Sequence, residues 1–229
     1  MMLFRQLFDC SSCTYTYLLA TNTNQDAILI DPVLEKVDQY FQLLRELKLR
    51  LVYCLETHVH ADHITGSGKL REQTQCKIAI SEHANSNCMD IKLKDGDTIQ
   101  IKNLSLQTRY TPGHTNDCVC FVMNDRVFTG DTLLIRSTGR TDFQSGNPHE
   151  AYHSIMKKLF TLADETLIYP GHDYNGMTVS TIGEEKRFNP RLQINSAEEY
   201  AHIMDNLNLT KPKLIEIAVP ANLQCGLVT

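Results

Sequence analysis

Residues 57–63, with the sequence THVHADH, concentrate side chains that can bind a metal ion. His58, His60, Asp62 and His63 directly follow an apolar run at 51–55 that is typical of a buried strand. Neutral imidazole suits Zn, Fe, Cu or Ni, and a carboxylate beside it supplies the charge that a divalent ion needs. The stretch therefore predicts a metal site, with a polar surface turn as the alternative.

Three further candidate ligands occupy similar places along the chain. They are His114 in TPGHT, Asp131 in TGDT and His172 in YPGHD. Each lies where an apolar strand gives way to a loop with glycine, so a rigid scaffold can present an accessible side chain. A single His or Asp in a turn is more often solvated or bonded to backbone, but the joint pattern favours several strand ends converging on one ion. The remaining histidines in other contexts are predicted to be surface or packing residues: His83, His149, His153 and His202.

The hydrophobic pattern predicts a mixed α/β chain in layers, with a single domain over residues 1–229. Segments 13–21 and 27–30 are rich in aromatic and β-branched residues and predict a hairpin around a turn at 22–25. Helical spacing predicts helices at 36–50, 64–73, 148–162, 183–187 and 197–207. Short strands are predicted at 77–81, 98–101, 104–110, 119–123, 126–128 and 166–169.

Composition limits the classes of protein that the chain can represent. A hydrophobic content of 42%, a charged content of 21% and a formal charge of −5 are ordinary globular values without a nucleic-acid footprint. The first twenty residues carry an apolar patch but neither a basic start nor membrane-spanning length, so we expect no signal peptide, no membrane partner and a cytoplasmic location. The eight cysteines are therefore expected to be reduced, with Cys118 and Cys120 packed in a strand.

Taken together, these motifs resemble those of the metallo-β-lactamase superfamily. The resemblance rests on the H-x-H-x-D-H run followed at matching intervals by Pro-Gly-His, Thr-Gly-Asp and a further Gly-His, and it covers most of the chain. It implies an αββα metallo-β-lactamase sandwich, with the metal site at one edge between the two sheets.

Within that superfamily, further segments are similar to those of the persulfide dioxygenases. The segments are 60–68 (HADHITGSG), 139–144 (GRTDFQ), 173–174 (DY), 179–181 (VST), 189–191 (NPR), 219–222 (VPAN) and 225–226 (CG). This resemblance implies one Fe(2+) per chain, held by His58, His114 and Asp131, the two-histidine, one-carboxylate set of non-haem iron oxygenases. It also implies that glutathione persulfide, O2 and water are converted to sulfite and glutathione.

The resemblance also assigns roles to residues around the iron. His60, Asp62, His63 and His172 are expected to orient the ligands and shape the cavity. Because glutathione carries two carboxylates, Arg140 and Arg191 are the expected substrate contacts, with Tyr174 as a hydroxyl donor near iron. The alternative for each arginine is a surface ion pair that contributes little. One departure is Thr138, where some family members carry cysteine.

The main alternative function is a glyoxalase II-like hydroxyacylglutathione thioester hydrolase with a dinuclear metal site and water as nucleophile. In that case Asp62, His63 and His172 would bind a second metal, but the GRTDFQ segment favours the dioxygenase. A non-enzymatic electron carrier would be expected to have an additional partner domain. A closed structural zinc site is disfavoured because the candidate ligands include no thiolate. No rhodanese-like domain is expected after residue 226, so a separate enzyme should generate the persulfide, and a homodimer is left open.

Overall fold

The computed structural model describes residues 2–22 and 25–227, and it contains twelve strands and six α-helices in this part of the chain. The strands are β1 Leu3–Asp9, β2 Thr14–Ala20, β3 Asp26–Ile30, β4 Arg50–Leu55, β5 Lys77–Ser81, β6 Ile91–Leu93, β7 Thr98–Ile101, β8 Leu104–Tyr110, β9 Val119–Val122, β10 Arg126–Gly130, β11 Leu167–Pro170 and β12 Ser180–Thr181. The helices are α1 Val37–Glu46, α2 Ser67–Thr74, α3 Pro148–His153, α4 Ile182–Phe188, α5 Ala197–Asp205 and α6 Ile215–Asn222. The strands form two six-stranded sheets, in the orders β1-β2-β3-β4-β5-β6 and β12-β11-β10-β9-β8-β7. The predicted mixed α/β class is confirmed.

One compact unit comprises Met1–Leu93, Thr98–Ser105 and Lys211–Thr229. Its sheet begins with the antiparallel strands β1, β2 and β3 and continues with β3, β4, β5 and β6 in parallel. All seven residues of β2 are buried, and Leu18, Leu29 and Leu70 share a core with Tyr40 of α1. Because β3, β4 and β5 are parallel, their carboxyl ends lie at one edge of the sheet, where Asp31 and the histidine run begin.

The other compact unit comprises Lys94–Asp97 and Leu106–Thr210. Strands β8, β9 and β10 are antiparallel neighbours, whereas β10 and β11 run parallel, with Gly130 opposite Pro170. The core includes Ile155, Leu159 and Ile168, together with Tyr200 of α5. The parallel pair again brings two strand ends together, here those that precede Asp131 and His172.

Several elements differ from their predictions. Strand β1 was not predicted because Leu3 to Asp9 alternate imperfectly: at the sheet edge, four of its seven residues are partly buried and two are exposed. Helix α6 was missed because Pro220 lies inside it. The predicted helix 148–162 is observed as α3 followed by a π-helix at Ser154–Leu159. Residues 23 and 24 of the predicted turn lie outside the described residues, and the single domain stays a prediction.

The prediction that all cysteines are reduced is wrong for one pair. Cys88 and Cys225 form a disulfide with their Cα atoms 5.9 Å apart, across a sequence separation of 137 residues. The pair could not be found from sequence, because only the fold brings such distant residues together. Cys118 and Cys120 are buried, as predicted. Within residues 2–22 and 25–227, no helix combines the length and apolarity needed to cross a bilayer.

The core of the second unit can be tested with a matched pair of isoleucines. Ile155 is fully buried in this core, whereas Ile217 of α6 is 60% exposed. Ile155→Ala should lower the free energy of unfolding by about 2–5 kcal/mol, because it removes buried methyl groups and leaves a cavity. Ile217→Ala should change it by less than about 0.5 kcal/mol. Urea unfolding measures both, and equal losses would contradict the observed core.

Candidate metal centre

Asp31 organises the start of the histidine run in the first unit. It follows β3 directly, has a left-handed backbone with φ of 50°, and its amide donates to the carbonyl of Leu55 at 2.9 Å. Its carboxylate accepts the Thr57 amide at 2.7 Å and the Thr57 hydroxyl at 2.8 Å. Asp31 is only 1% exposed, so these charge-assisted bonds replace the water that the carboxylate gave up. The chain therefore leaves β4 in a fixed direction.

The same threonine orients His58. Thr57 Oγ1 lies 3.0 Å from His58 Nδ1, and because its proton is given to Asp31, the threonine oxygen accepts from this ring nitrogen. That assignment places the proton of neutral His58 on Nδ1 and makes Nε2 its acceptor nitrogen. His58 is 2% exposed. The ring is therefore in the tautomer that can bind a metal through Nε2.

His60 is buried against two carboxylates. Its Nε2 lies 3.2 Å from Asp31 Oδ1 and 3.5 Å from Glu56 Oε2. Burial lowers the pKa of His60, but the two carboxylates outweigh burial and raise this pKa well above its usual range. The other oxygen of Glu56 accepts the hydroxyls of Thr65 and Ser67. These contacts are ion pairs without hydrogen-bond geometry, because neither His60 Nε2 nor His60 Nδ1 has a hydrogen-bond partner among the described residues.

His63 pairs with its neighbour in sequence. Its Nδ1 lies 2.9 Å from Asp62 Oδ2 and 3.4 Å from the Thr14 hydroxyl. Among the described residues, His63 Nε2 and His60 Nδ1 are buried without a hydrogen-bond partner. Two three-residue groups of this unit could hold an ion, with ligand atoms within 4.8 Å of one another: His60 with Asp62 and His63, and His60 with Asp31 and Glu56. Buried imidazole nitrogens without a hydrogen-bond partner, lying beside carboxylates, are suitable ligands for a metal ion.

In the second unit, Asp131 lies between two histidines. Its Oδ1 accepts from His172 Nδ1 at 2.7 Å, and its Oδ2 lies 3.6 Å from His114 Nε2. Two ligand atoms each about 2.1 Å from one ion are roughly 3.0–3.5 Å apart. The Asp131 and His114 atoms are only slightly farther apart than this spacing, while His172 holds the carboxylate through its other oxygen.

His114 is oriented by backbone. Its Nδ1 donates to the carbonyl of Arg140 at 2.7 Å, which leaves Nε2 as the acceptor on the side of Asp131. The loop that supplies this carbonyl passes so closely that a Cβ on Gly139 would lie 2.2 Å from the Asp131 carbonyl oxygen and 2.8 Å from the His114 ring. The Gly139 amide also donates to that carbonyl, at 2.7 Å. Only glycine fits at residue 139.

The three residues predicted to bind substrate all have intramolecular contacts in the second unit. Arg140 forms a two-pronged pair with Asp142, donates to the carbonyl of Thr210, and lies 4.6 Å over the ring of Phe143. This pair lowers the pKa of Asp142. Arg191 donates to the carbonyl of Thr138. Tyr174 is 70% exposed, and its ring stacks on His172 with the centroids 6.0 Å apart.

The structure brings the predicted site residues together within each unit. In the first, the rings of His58 and His60 lie 4.1 Å apart and those of His60 and His63 lie 4.4 Å apart. In the second, His114, Asp131 and His172 form the chain of contacts described above. The other four histidines are exposed, as predicted: His83, His149, His153 and His202.

Sequence reasoning missed Asp31 and Glu56. Asp31 directly follows the predicted strand 27–30 and was given no role, and Glu56 directly precedes the run without belonging to its motif. A signal for Asp31 was present, because an acidic residue at the carboxyl end of a strand can meet the end of the parallel strand beside it. The parallel pairing of β3 and β4 could not be inferred from the apolar runs alone.

Comparisons with known proteins identify the family. Residues 14–172 match the family model described as the metallo-beta-lactamase superfamily. The chain is 53% identical over 231 residues to the mitochondrial persulfide dioxygenase ETHE1 of Bos taurus and 52% identical to that of Homo sapiens, each match covering 100% of this chain and 90% of the relative. The crystal structure of ETHE1 from Myxococcus xanthus is 54% identical with a TM-score of 0.95, covering 98% of this chain and 99% of that one.

The close approach at Gly139 predicts that a single methyl group should damage the metal site. Gly139→Ala should lower metal affinity by about 10–100-fold, because the added carbon displaces the His114 ring or the Asp131 backbone. A matched control is Gly96→Ala, where the added carbon meets nothing within 4 Å and only the φ of 87° is strained. Equilibrium dialysis against a divalent metal measures both. Wild-type affinity in the Gly139 variant would contradict the role of this loop.

Proposed function

This chain belongs to the persulfide dioxygenases of the metallo-beta-lactamase superfamily, and from this membership we propose that it oxidises glutathione persulfide with O2 and water, giving sulfite and glutathione. The observation that carries the proposal is an identity of 52–54% to proteins of that family, spread over essentially the whole chain. The reaction transfers the terminal sulfur of the persulfide to oxygen and releases the thiol. It therefore needs a centre that can activate O2.

We propose that one ferrous ion is held by His58, His114 and Asp131. The donor set supports this, because two neutral imidazoles and one carboxylate form the ligand set of non-haem iron oxygenases. Each histidine has its Nδ1 bonded to an oxygen, of Thr57 and of Arg140, so both present Nε2 as the acceptor. A bound ferrous ion supplies the redox chemistry for activating O2, which zinc lacks.

The neighbouring polar residues are proposed to position these ligands rather than to bind iron. His172 holds Asp131 through Oδ1 at 2.7 Å and so directs the other carboxylate oxygen to His114. In the first unit, Asp31 fixes Thr57 and thereby the His58 tautomer, and it also faces His60. Asp62 pairs with His63 at 2.9 Å. Such partners typically change metal affinity or activity by about 10–100-fold.

We propose Arg140 and Arg191 as the contacts for the glutathione carboxylates, with Tyr174 donating its hydroxyl. A guanidinium recognises a carboxylate through two parallel hydrogen bonds. Arg140 already makes such a pair with Asp142, whose side chain is 57% exposed, so an incoming carboxylate would exchange with Asp142. The proposal for Tyr174 is supported by its stacking on His172, which in turn pairs with Asp131.

Four further assignments are proposals of the same kind. We place the protein in the cytoplasm, although the mammalian relatives are named as mitochondrial. We also propose that a separate enzyme supplies the persulfide and that the chain can form a homodimer. The single-domain organisation over residues 1–229 is proposed with them.

A glyoxalase II-like thioester hydrolase with two metals is the second candidate. The observation that favours it is the group of His60, Asp62 and His63, whose ligand atoms lie within 4.8 Å of one another. Two of its ring nitrogens, His60 Nδ1 and His63 Nε2, have no hydrogen-bond partner among the described residues. A second ion there would activate water instead of O2.

One experiment separates the two functions. Purified protein is analysed for metal content, and O2 uptake is followed with an oxygen electrode on adding glutathione persulfide. We expect one iron per chain, persulfide-dependent uptake and production of sulfite. Two metals per chain, no uptake, and hydrolysis of a glutathione thioester would overturn the dioxygenase in favour of the hydrolase.

The ligand assignment predicts the behaviour of three variants. His58→Ala, His114→Ala and Asp131→Ala should each retain less than about a tenth of the wild-type iron and activity, because each removes one of three protein ligands. The matched control is His202→Ala, which removes an exposed imidazole of α5. Iron content and O2 uptake are measured for all four. Full iron in any ligand variant would refute that residue's assignment.

A further inference from the structure

We propose that Asn222 positions the histidine loop, defined here as residues 56–67, and that the Cys88–Cys225 disulfide holds Asn222 in place. Metal binding by this loop is then sensitive to thiols. All of the residues involved belong to the first compact unit. The inference rests on the proposed function only in that the loop binds a metal, and its tests require no turnover.

Asn222 uses its whole amide on the histidine loop. Its Nδ2 donates to the carbonyls of His60 and His63, each at 2.9 Å, and its Oδ1 accepts the Thr65 amide at 2.8 Å. The side chain is 6% exposed, so water does not offer these three backbone groups an alternative. Two donors and one acceptor are needed here, which excludes a carboxylate or a hydroxyl as a replacement. The amide therefore fixes the curvature of the loop across both histidines.

The residues that follow Asn222 lie directly against the other end of the loop. The Gly68 amide donates to the carbonyl of Cys225 at 2.9 Å. Gly226 has a φ of 74°, and a Cβ there would lie 1.9 Å from the carbonyl oxygen of Thr65. A side chain at residue 226 would prevent this contact, so glycine allows the backbone of residue 226 to pack directly on that of Thr65. The segment 222–226 and the histidine loop therefore move together.

The helix that carries Asn222 has little stability of its own. Helix α6 has eight residues, and Pro220 inside it cannot donate a backbone hydrogen bond. Val219 and Leu223 pack on a small cluster of Val59, Ile80 and Ala84. The disulfide adds a covalent tether, because it joins Cys225 to Cys88 in the connection between β5 and β6. The tether confines Asn222 to the position where it meets the loop.

This disulfide is placed so that a thiol can open it. Cys88 is half-buried, whereas Cys225 is only 4% exposed. A low-molecular-weight thiolate, such as the glutathione released by the proposed reaction, attacks the Cys88 sulfur and releases the Cys225 thiolate, which takes up a proton. A second thiol then attacks the mixed disulfide. The protein gains two thiols and the small thiols leave as their disulfide, so electrons and protons balance.

Opening the disulfide should weaken metal binding by the histidine loop. With Cys225 released, Asn222 keeps its own hydrogen bonds, the Gly68–Cys225 backbone bond and the packing of α6, but it loses its covalent tether, so the carbonyls of His60 and His63 are held less firmly. We expect a roughly 10-fold decrease in affinity, the lower end of the range for residues that orient ligands. The tether acts on the geometry of the loop and not on any ligand atom.

The first test uses Co(2+), titrated anaerobically into the metal-free full chain and followed by its absorption. The wild type is compared in its oxidised form and after reduction and removal of the reductant, beside Cys88→Ser and the control Cys10→Ser, which removes an exposed free cysteine. Oxidised wild type and Cys10→Ser should bind about 10-fold more tightly than reduced wild type and Cys88→Ser. Equal affinities, or eight titratable thiols in the protein as isolated, would overturn the proposal.

The second test examines the loop without metal. Asn222→Asp replaces two donors by acceptors facing two carbonyls, and Asn87→Asp makes the same change at an exposed residue next to Cys88. Amide exchange at Thr65 should quicken at least about 10-fold in Asn222→Asp, in Cys88→Ser and in reduced wild type, but not in Asn87→Asp. If Asn222→Asp fails to fold, amide exchange in Cys88→Ser still tests the proposal. Unchanged amide exchange at Thr65 in Cys88→Ser would refute the proposal that the disulfide and Asn222 hold the histidine loop. Absence of O2 uptake alone would refute only the dioxygenase function.

Discussion

A buried carboxylate that must find its hydrogen-bond donors within the protein is the constraint on which the histidine run depends. Asp31 has left water almost completely, and Thr57 satisfies it through both the amide and the hydroxyl. That demand determines where the chain goes after β4 and which nitrogen of His58 carries the proton. Folding of the strand ends thus sets the orientation and tautomer of His58, the proposed ligand, without any metal.

The second unit meets the same constraint with different groups. Asp131 follows β10 as Asp31 follows β3, and its donor is the imidazole of His172 at the end of the parallel neighbour β11. In both units, parallel pairing brings a carboxylate to its partner without a long loop. The two units differ in the number of carboxylates that face a histidine. His60 faces two carboxylates, whereas Asp131 has one oxygen bonded to His172 and directs the other toward His114.

Sequence was a good guide wherever a local pattern carried the information. The histidine run, the two Gly-His motifs and Thr-Gly-Asp were recognisable because each follows an apolar strand, and Gly171 of the second Gly-His motif closely approaches Asp131. Contacts between residues that are far apart in the sequence could not be predicted. Glu56 acquires its role through Thr65 and Ser67, and Cys88 meets Cys225 only after the sheet and α6 have formed. Edge strand β1 was missed because partial burial blurs alternation.

The two histidines proposed as ligands, His58 and His114, differ in how their tautomers are encoded. His114 gives its Nδ1 proton to a main-chain carbonyl, that of residue 140, while the Arg140 guanidinium faces Asp142. His58 relies on the hydroxyl of Thr57, a group that one substitution can delete. During divergence, residue 140 can therefore change its side chain without altering the proton on His114, because only its main-chain carbonyl accepts that proton. At residue 57 the side chain itself is needed, so only a substitution that keeps a hydroxyl is expected to be tolerated during evolution.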